Sequence, residues 1–173
     1  MDLVWLEDPA FLIPLTGVLG LLVGSFLNVV ILRLPHRLEH DWASQAREFL
    51  GHAPPETSDE APPDLVFKAS HCPHCKHPLS PLDNIPLLSW FLLRGKCRQC
   101  KAPISPRYVI IEAVTAVLAS GLYACYYILD LRQGAGEFSQ TWPMYIAHAA
   151  LLCGLLACTA VDLELWIIPL EVM

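Results

Sequence analysis

Residues 9–32 (PAFLIPLTGVLGLLVGSFLNVVIL) run 24 positions without a charged side chain, and no other feature restricts the fold as strongly. At the helical rise such a run reaches about 36 Å, enough to cross a hydrocarbon core of about 30 Å. It does not read as a cleavable signal peptide, because the preceding MDLVWLED carries three acids and no Lys or Arg. A second apolar segment runs over 108–129 and a third, uncharged, over 138–161. The chain is therefore expected to be an α-helical integral membrane protein with three transmembrane helices, at 9–34, 108–131 and 138–162. Composition agrees, since 54% hydrophobic and only 16% charged residues are too apolar for an ordinary soluble fold. A formal net charge of -6 gives no basic field and speaks against nucleic acid as a partner, leaving membrane lipid as the expected surrounding.

Ten of the 11 Lys and Arg residues lie between Arg33 and Arg107. By the positive-inside rule the loop at 35–107 is cytoplasmic, the N-terminus is outside, and the third span runs back to end near Asp162. Within the loop, residues 38–50 (LEHDWASQAREFL) space Leu38, Trp42, Ala46, Phe49 and Leu50 as on one face of a short amphipathic helix, lying on the membrane or soluble. The proline-rich, acidic run 51–64 (GHAPPETSDEAPPD) reads as a flexible linker.

Four of the seven cysteines form two C-x-x-C knuckles, Cys72-Pro-His-Cys75 and Cys97-Arg-Gln-Cys100, separated by 21 residues. Each turn directs two thiolates towards one point, and two turns supply the tetrahedral four-sulfur shell of a structural zinc ion. Lys76, Lys96, Arg98 and Lys101 offset the charge of a metal tetrathiolate. A redox dithiol pair and four-sulfur iron are the rivals; the doubled, matched spacing favours zinc, in a module over 70–106. His71, His74 and His77 read as solvated, because four sulfurs close the shell and leave no position for catalysis. Leu87, Leu88, Trp90, Phe91, Leu92 and Leu93, between the knuckles, either core this small module or rest on the membrane interface. No internal repeat is recognised beyond the cysteine pairs.

Ionisable residues inside spans are costly and are functional candidates by default. Glu112 reads as a snorkelling or Arg107-paired group and His148 as a packing or hydrogen-bonding one. Cys125, Cys153 and Cys158 read as small buried hydrophobes. Asp162 continues a four-residue stripe of Ala150, Gly154 and Cys158, which predicts that it faces protein, and Gly20, Gly24 and Asn28 form a counterpart in the first span. A solvated interfacial acid and a catalytic acid both suit that placement.

The blocks GSFLNVVILRLP, LEHDWASQAREFL, CPHCKHPLSPLDNIPLLSWFLLRGKCRQCKAPISPRYVIIE and VDLELWIIP resemble the type IV prepilin leader peptidases over most of the chain. The resemblance implies an aspartic endopeptidase of the bacterial inner membrane that removes the leader of prepilins or pseudopilins on the cytoplasmic side. Many members also methylate the new N-terminus with S-adenosylmethionine, and the family serves type IV pili and type II secretion. By the same resemblance Asp162 matches the first of two catalytic aspartates, Cys72, Cys75, Cys97 and Cys100 the zinc site, and Gly95 and Lys96, in LRGKCR, the stretch associated with methyl transfer. Two departures stand out. The usual I-P-D reads Ile168-Pro169-Leu170 here, and the second aspartate, in a G-x-G-D motif, has no counterpart. Because an aspartic protease shares one proton between two carboxylates, the expectation is the N-terminal half of such an enzyme, inactive unless a C-terminal half complements it. A non-enzymatic, membrane-anchored zinc-binding adaptor is the alternative.

Overall fold

A computed structural model describes residues 9–51, 70–129 and 138–165. Among them the regular structure is helical: α1 (Pro9–Phe49), α2 (Leu88–Leu92), α3 (Arg107–Tyr127) and α4 (Phe138–Leu165), with a 3-10 turn at Pro81–Asn84 and no β-strand. α1, α3 and α4 are each long and apolar enough to cross a membrane, as expected. The linker expected over 51–64 lies outside the described residues apart from Gly51, as does everything from residue 166 onward.

α1 has 41 residues. That length is about 60 Å, twice the hydrocarbon thickness and so more than one crossing requires. From sequence this helix stops at 34 and a separate one begins at 38; the structure joins the two through a buried Pro35. Proline removes one backbone hydrogen bond, a local loss that the cooperative helix on either side outweighs. The helix ends instead at Gly51, where φ is 68° and the N–H reaches the Glu48 carbonyl at 3.1 Å, a left-handed stop that favours glycine. Leu38, Trp42, Phe49 and Leu50 stay exposed on the extension.

α1 and α3 run antiparallel in the most extensive helix contact. A Cβ at Gly20 would lie 2.7 Å from the Ala116 Cα, and one at Gly24 would lie 2.7 Å from the Glu112 Cα. Only glycine lets these backbones come so close. The Asn28 Nδ2 donates to the Tyr108 carbonyl at 3.0 Å, and the Ser120 hydroxyl donates to the Ile13 carbonyl at 3.3 Å, so polar contacts close the seam at both ends. α4 adds Ala160 to a core of Leu27, Ile31 and Ile111, with Cys153, Leu156, Ala157 and Val161 packed against it.

At the opposite end of α3, Tyr123, Tyr126 and Tyr127 cluster with Tyr145 of α4. The Tyr126 hydroxyl and His148 Nδ1 are 2.7 Å apart, so His148 makes the interhelical hydrogen bond expected of it. Cys125 and Cys153 are half-buried, whereas Cys158 is exposed rather than buried.

Candidate functional site

The knuckles are two copies of one backbone unit. Residues 70–81 (SHCPHCKHPLSP) and 95–106 (GKCRQCKAPISP) share C-x-x-C-K-x-P-[LI]-S-P. The hydrogen bonds repeat in step: Cys72 N–H to the His77 carbonyl and Cys97 N–H to the Ala102 carbonyl are both 2.9 Å, and Leu79 to Ser70 and Ile104 to Gly95 are 2.8 and 2.7 Å. Bridges His71–Pro78 and Lys96–Pro103 close each unit. Lys76 and Lys101, each following a second cysteine, have φ of 58° and 61°, which turns the chain back on itself. Each Ser-Pro then opens a helical element. The Ser80 Oγ accepts the Asp83 N–H and the Ser105 Oγ accepts the Arg107 N–H, both at 3.3 Å. From sequence only the cysteine pairs read as repeated; the shared K-x-P-[LI]-S-P tail is the signal passed over.

The two units bring Cys72, Cys75, Cys97 and Cys100 together with all four sulfurs within 4.8 Å of one another. The Cys72 and Cys100 sulfurs are 3.8 Å apart. A tetrahedral shell with metal–sulfur bonds of about 2.3 Å has sulfur–sulfur edges of about 3.8 Å, so the cluster has the dimensions to hold a metal ion. His71, His74 and His77 are exposed and stand outside it. The Cys75 backbone N–H leads the interactions that hold the Cys72 thiol down at about 6. In contrast, despite the Ala102 N–H, desolvation and the other three sulfurs push Cys100 up to about 11. Four thiolates repel one another, and a divalent cation is what lets the last of them ionise. Arg98 clasps Asp83 with Nη2 to Oδ1 at 2.7 Å and Nε to Oδ1 at 2.9 Å, tying the second knuckle to the turn after the first. That guanidinium holds the Asp83 carboxyl below its ordinary range.

Gly95 is buried and Lys96 exposed at the entry to the second knuckle. Gly95 has φ of 65°, and a Cβ there would meet the Trp90 ring at 2.9 Å. Its N–H bonds the Trp90 carbonyl at 2.9 Å and its carbonyl accepts from Ile104 at 2.7 Å, while the Trp90 indole donates to the Ile104 carbonyl at 3.2 Å. The module's own fold therefore requires glycine here.

Asp162 sits near the C-terminal end of α4 and is exposed, apart from the cysteine cluster. The expectation that its stripe faces protein is not met among the described residues. Ala150 and Cys158 are exposed, and a Cβ at Gly154 would meet nothing within 4 Å. A four-residue step overshoots a helical turn by about 40°, so the stripe drifts off the flank that α4 presents to α1 and α3.

Glu112, one helical turn into α3, is buried at 8% exposure. Its Oε2 accepts the Leu87 N–H at 2.8 Å, with the Ser25 hydroxyl as a further partner. Arg107, the partner expected, lies over the Tyr108 ring, 5.5 Å from its centroid. Nothing in the spacing of Leu87 and Glu112 announces this contact, because it depends on how the module folds back.

Residues 18–126, holding both knuckles and Glu112 but not Asp162, match the family described as the Bacterial Peptidase A24 N-terminal domain. The chain belongs to that family. Curated relatives called prepilin leader peptidase/N-methyltransferase are similar over most of the chain. The one from Aeromonas hydrophila is 42% identical over 87% of this chain and 47% of its own length. The Stutzerimonas stutzeri relative is 47% identical over 88% of this chain and 47% of its own, and that of Neisseria gonorrhoeae 49% over 68% and 40%. The chain thus spans about half the length of the curated relatives it matches. No solved structure matches.

Proposed function

We propose that the chain is the N-terminal part of a membrane aspartic endopeptidase that removes the leader of type IV prepilins or pseudopilins and N-methylates the product. Membership of the A24 family, with relatives named for these two activities, carries the reading. Asp162 is then one of two catalytic carboxylates. One member of such a pair takes a proton from the attacking water while the other donates to the peptide carbonyl oxygen, which a single acid cannot do. The partner acid belongs to a C-terminal half bearing G-x-G-D. Zinc is the metal we assign to Cys72, Cys75, Cys97 and Cys100, where a closed four-sulfur shell cross-links the knuckles and serves structure. S-adenosylmethionine is the methyl donor in this reading, near Gly95 and Lys96. The family likeness of LRGKCR supports that placement, and the exposed Lys96 is the more accessible of the two. The distribution of cations supports a cytoplasmic module on a protein of the bacterial inner membrane.

Co-expression tests the proposal. This chain alone should leave prepilin uncut, a C-terminal half bearing G-x-G-D should restore processing, and Asp162→Asn should lower the restored rate by several orders of magnitude. Cleavage by the chain alone, or rescue indifferent to Asp162→Asn, overturns it. Failure of every combination while the chain still holds zinc favours the membrane-anchored zinc adaptor.

A further inference from the structure

We infer that α2 is inserted into the membrane interface, its apolar side chains entering the boundary between headgroups and acyl chains, and that Glu112 sets its depth. Leu82, Leu88, Phe91 and Leu92 are all exposed, Phe91 at 62% and Leu92 at 73%. A surface this apolar on so small a module calls for something to cover it. The Leu87–Glu112 hydrogen bond says where the surface lies. Glu112 is five residues beyond the start of α3 at Arg107, about 7.5 Å along the helix axis. The residue immediately before α2 is therefore level with a membrane-spanning helix, not above it.

Leu87 adopts a φ of 58° to make this contact, an unfavourable conformation for a bulky residue, so the tether holds against local strain. Charge points to the same occupant. Arg94, Lys96 and Lys101 are exposed on the module and suit the phosphates of anionic lipid headgroups. The apolar surface is also continuous in kind with the side of α3 that exposes Ile110 and Val117, at 55% and 70%. Bilayer lipid thus covers α2, and Glu112 is a positioning residue that acts through the Leu87 backbone. The inference rests on the three membrane spans and stands apart from the peptidase proposal.

Photocrosslinking tests it in the full chain, reconstituted in vesicles of phosphatidylethanolamine and phosphatidylglycerol. A photoreactive phenylalanine analogue in place of Phe91 or Leu92 should yield lipid adducts by mass spectrometry, and one in place of the exposed Gln99 should yield only background. Glu112→Ala should lower the adduct yield at Phe91 several-fold with bound metal unchanged, and Glu112→Gln, whose amide oxygen still accepts from the Leu87 N–H, should restore it. Adducts with protein in place of lipid at both positions, or no adduct, overturn the insertion. An undiminished lipid yield in Glu112→Ala overturns the role of Glu112.

Discussion

The small-residue spacing occurs on two helices, α1 and α4, and the described structure uses it on one. Gly20 and Gly24 of α1 lie so close to α3 that their missing Cβ atoms would touch backbone, while the space beside Gly154 of α4 is open. Spacing does not separate the two. What differs is the facing surface: α3 offers Thr115, Ala116 and Ser120 to the glycines of α1, and polar contacts from Asn28 and Ser120 pin the ends. α4 leans on its neighbours through Leu156, Ala157 and Ala160 instead, on another flank. A stripe of small residues is thus a capacity for close approach, realised only against a complementary face. If Asp162 is the catalytic acid proposed above, the open face of α4 is the surface left for helices bearing a second carboxylate.

Treating the two faces alike in experiments should expose their difference, and the first test asks whether the seam stands alone. If the cysteine cluster holds zinc as proposed, a chelator should withdraw a stabilisation on the order of 10 kcal/mol from the knuckles. The module should unfold, read by a shift in Trp90 fluorescence in a chain whose other tryptophans are replaced, while probes at Ile13 and Ser120 keep their separation. Acid acts in the same direction. Metal binding needs all four thiols deprotonated and Cys100 is held up at about 11, so affinity should fall as pH falls.

Next in size is Gly24→Leu, which drives a side chain into the Glu112 backbone and should cost about 3 kcal/mol by reversible unfolding in mixed micelles. An unchanged stability would mean the seam is not as tight as described. Asn28→Leu, which removes the hydrogen bond to Tyr108, should cost about 1 kcal/mol in the same assay. Smallest is Gly154→Ala. It should be neutral or stabilising by up to about 1 kcal/mol in this chain, as expected for a helical glycine with open space beside it. With a complementing C-terminal half the sign should reverse, and prepilin processing should fall. A loss of stability in the isolated chain would show that the stripe is already packed.

Much of this architecture was legible in sequence, unevenly. The spans stood out because lipid selects for the length and polarity of a segment whatever its neighbours. The four clustered cysteines stood out because two C-x-x-C turns carry their geometry locally, and the same unit extends into K-x-P-[LI]-S-P, a readable signal left unread. Pro35 misled, since a proline that usually marks a boundary lies inside one continuous helix. The demand for glycine at position 95 was hidden, because it comes from a positive φ and the Trp90 ring together.

The sequence by itself determined which segments are long and apolar enough to cross a membrane and which sulfurs can share a metal, because both follow from properties a segment carries before it meets any other. Only the tertiary structure decided which small-residue stripe is used, that Glu112 holds the Leu87 backbone, and that Asp162 is left open. Those outcomes turn on contacts between segments distant in the chain, such as Asn28 with Tyr108. A close backbone approach or a buried hydrogen bond is favourable only when the opposite surface has the matching shape and partner.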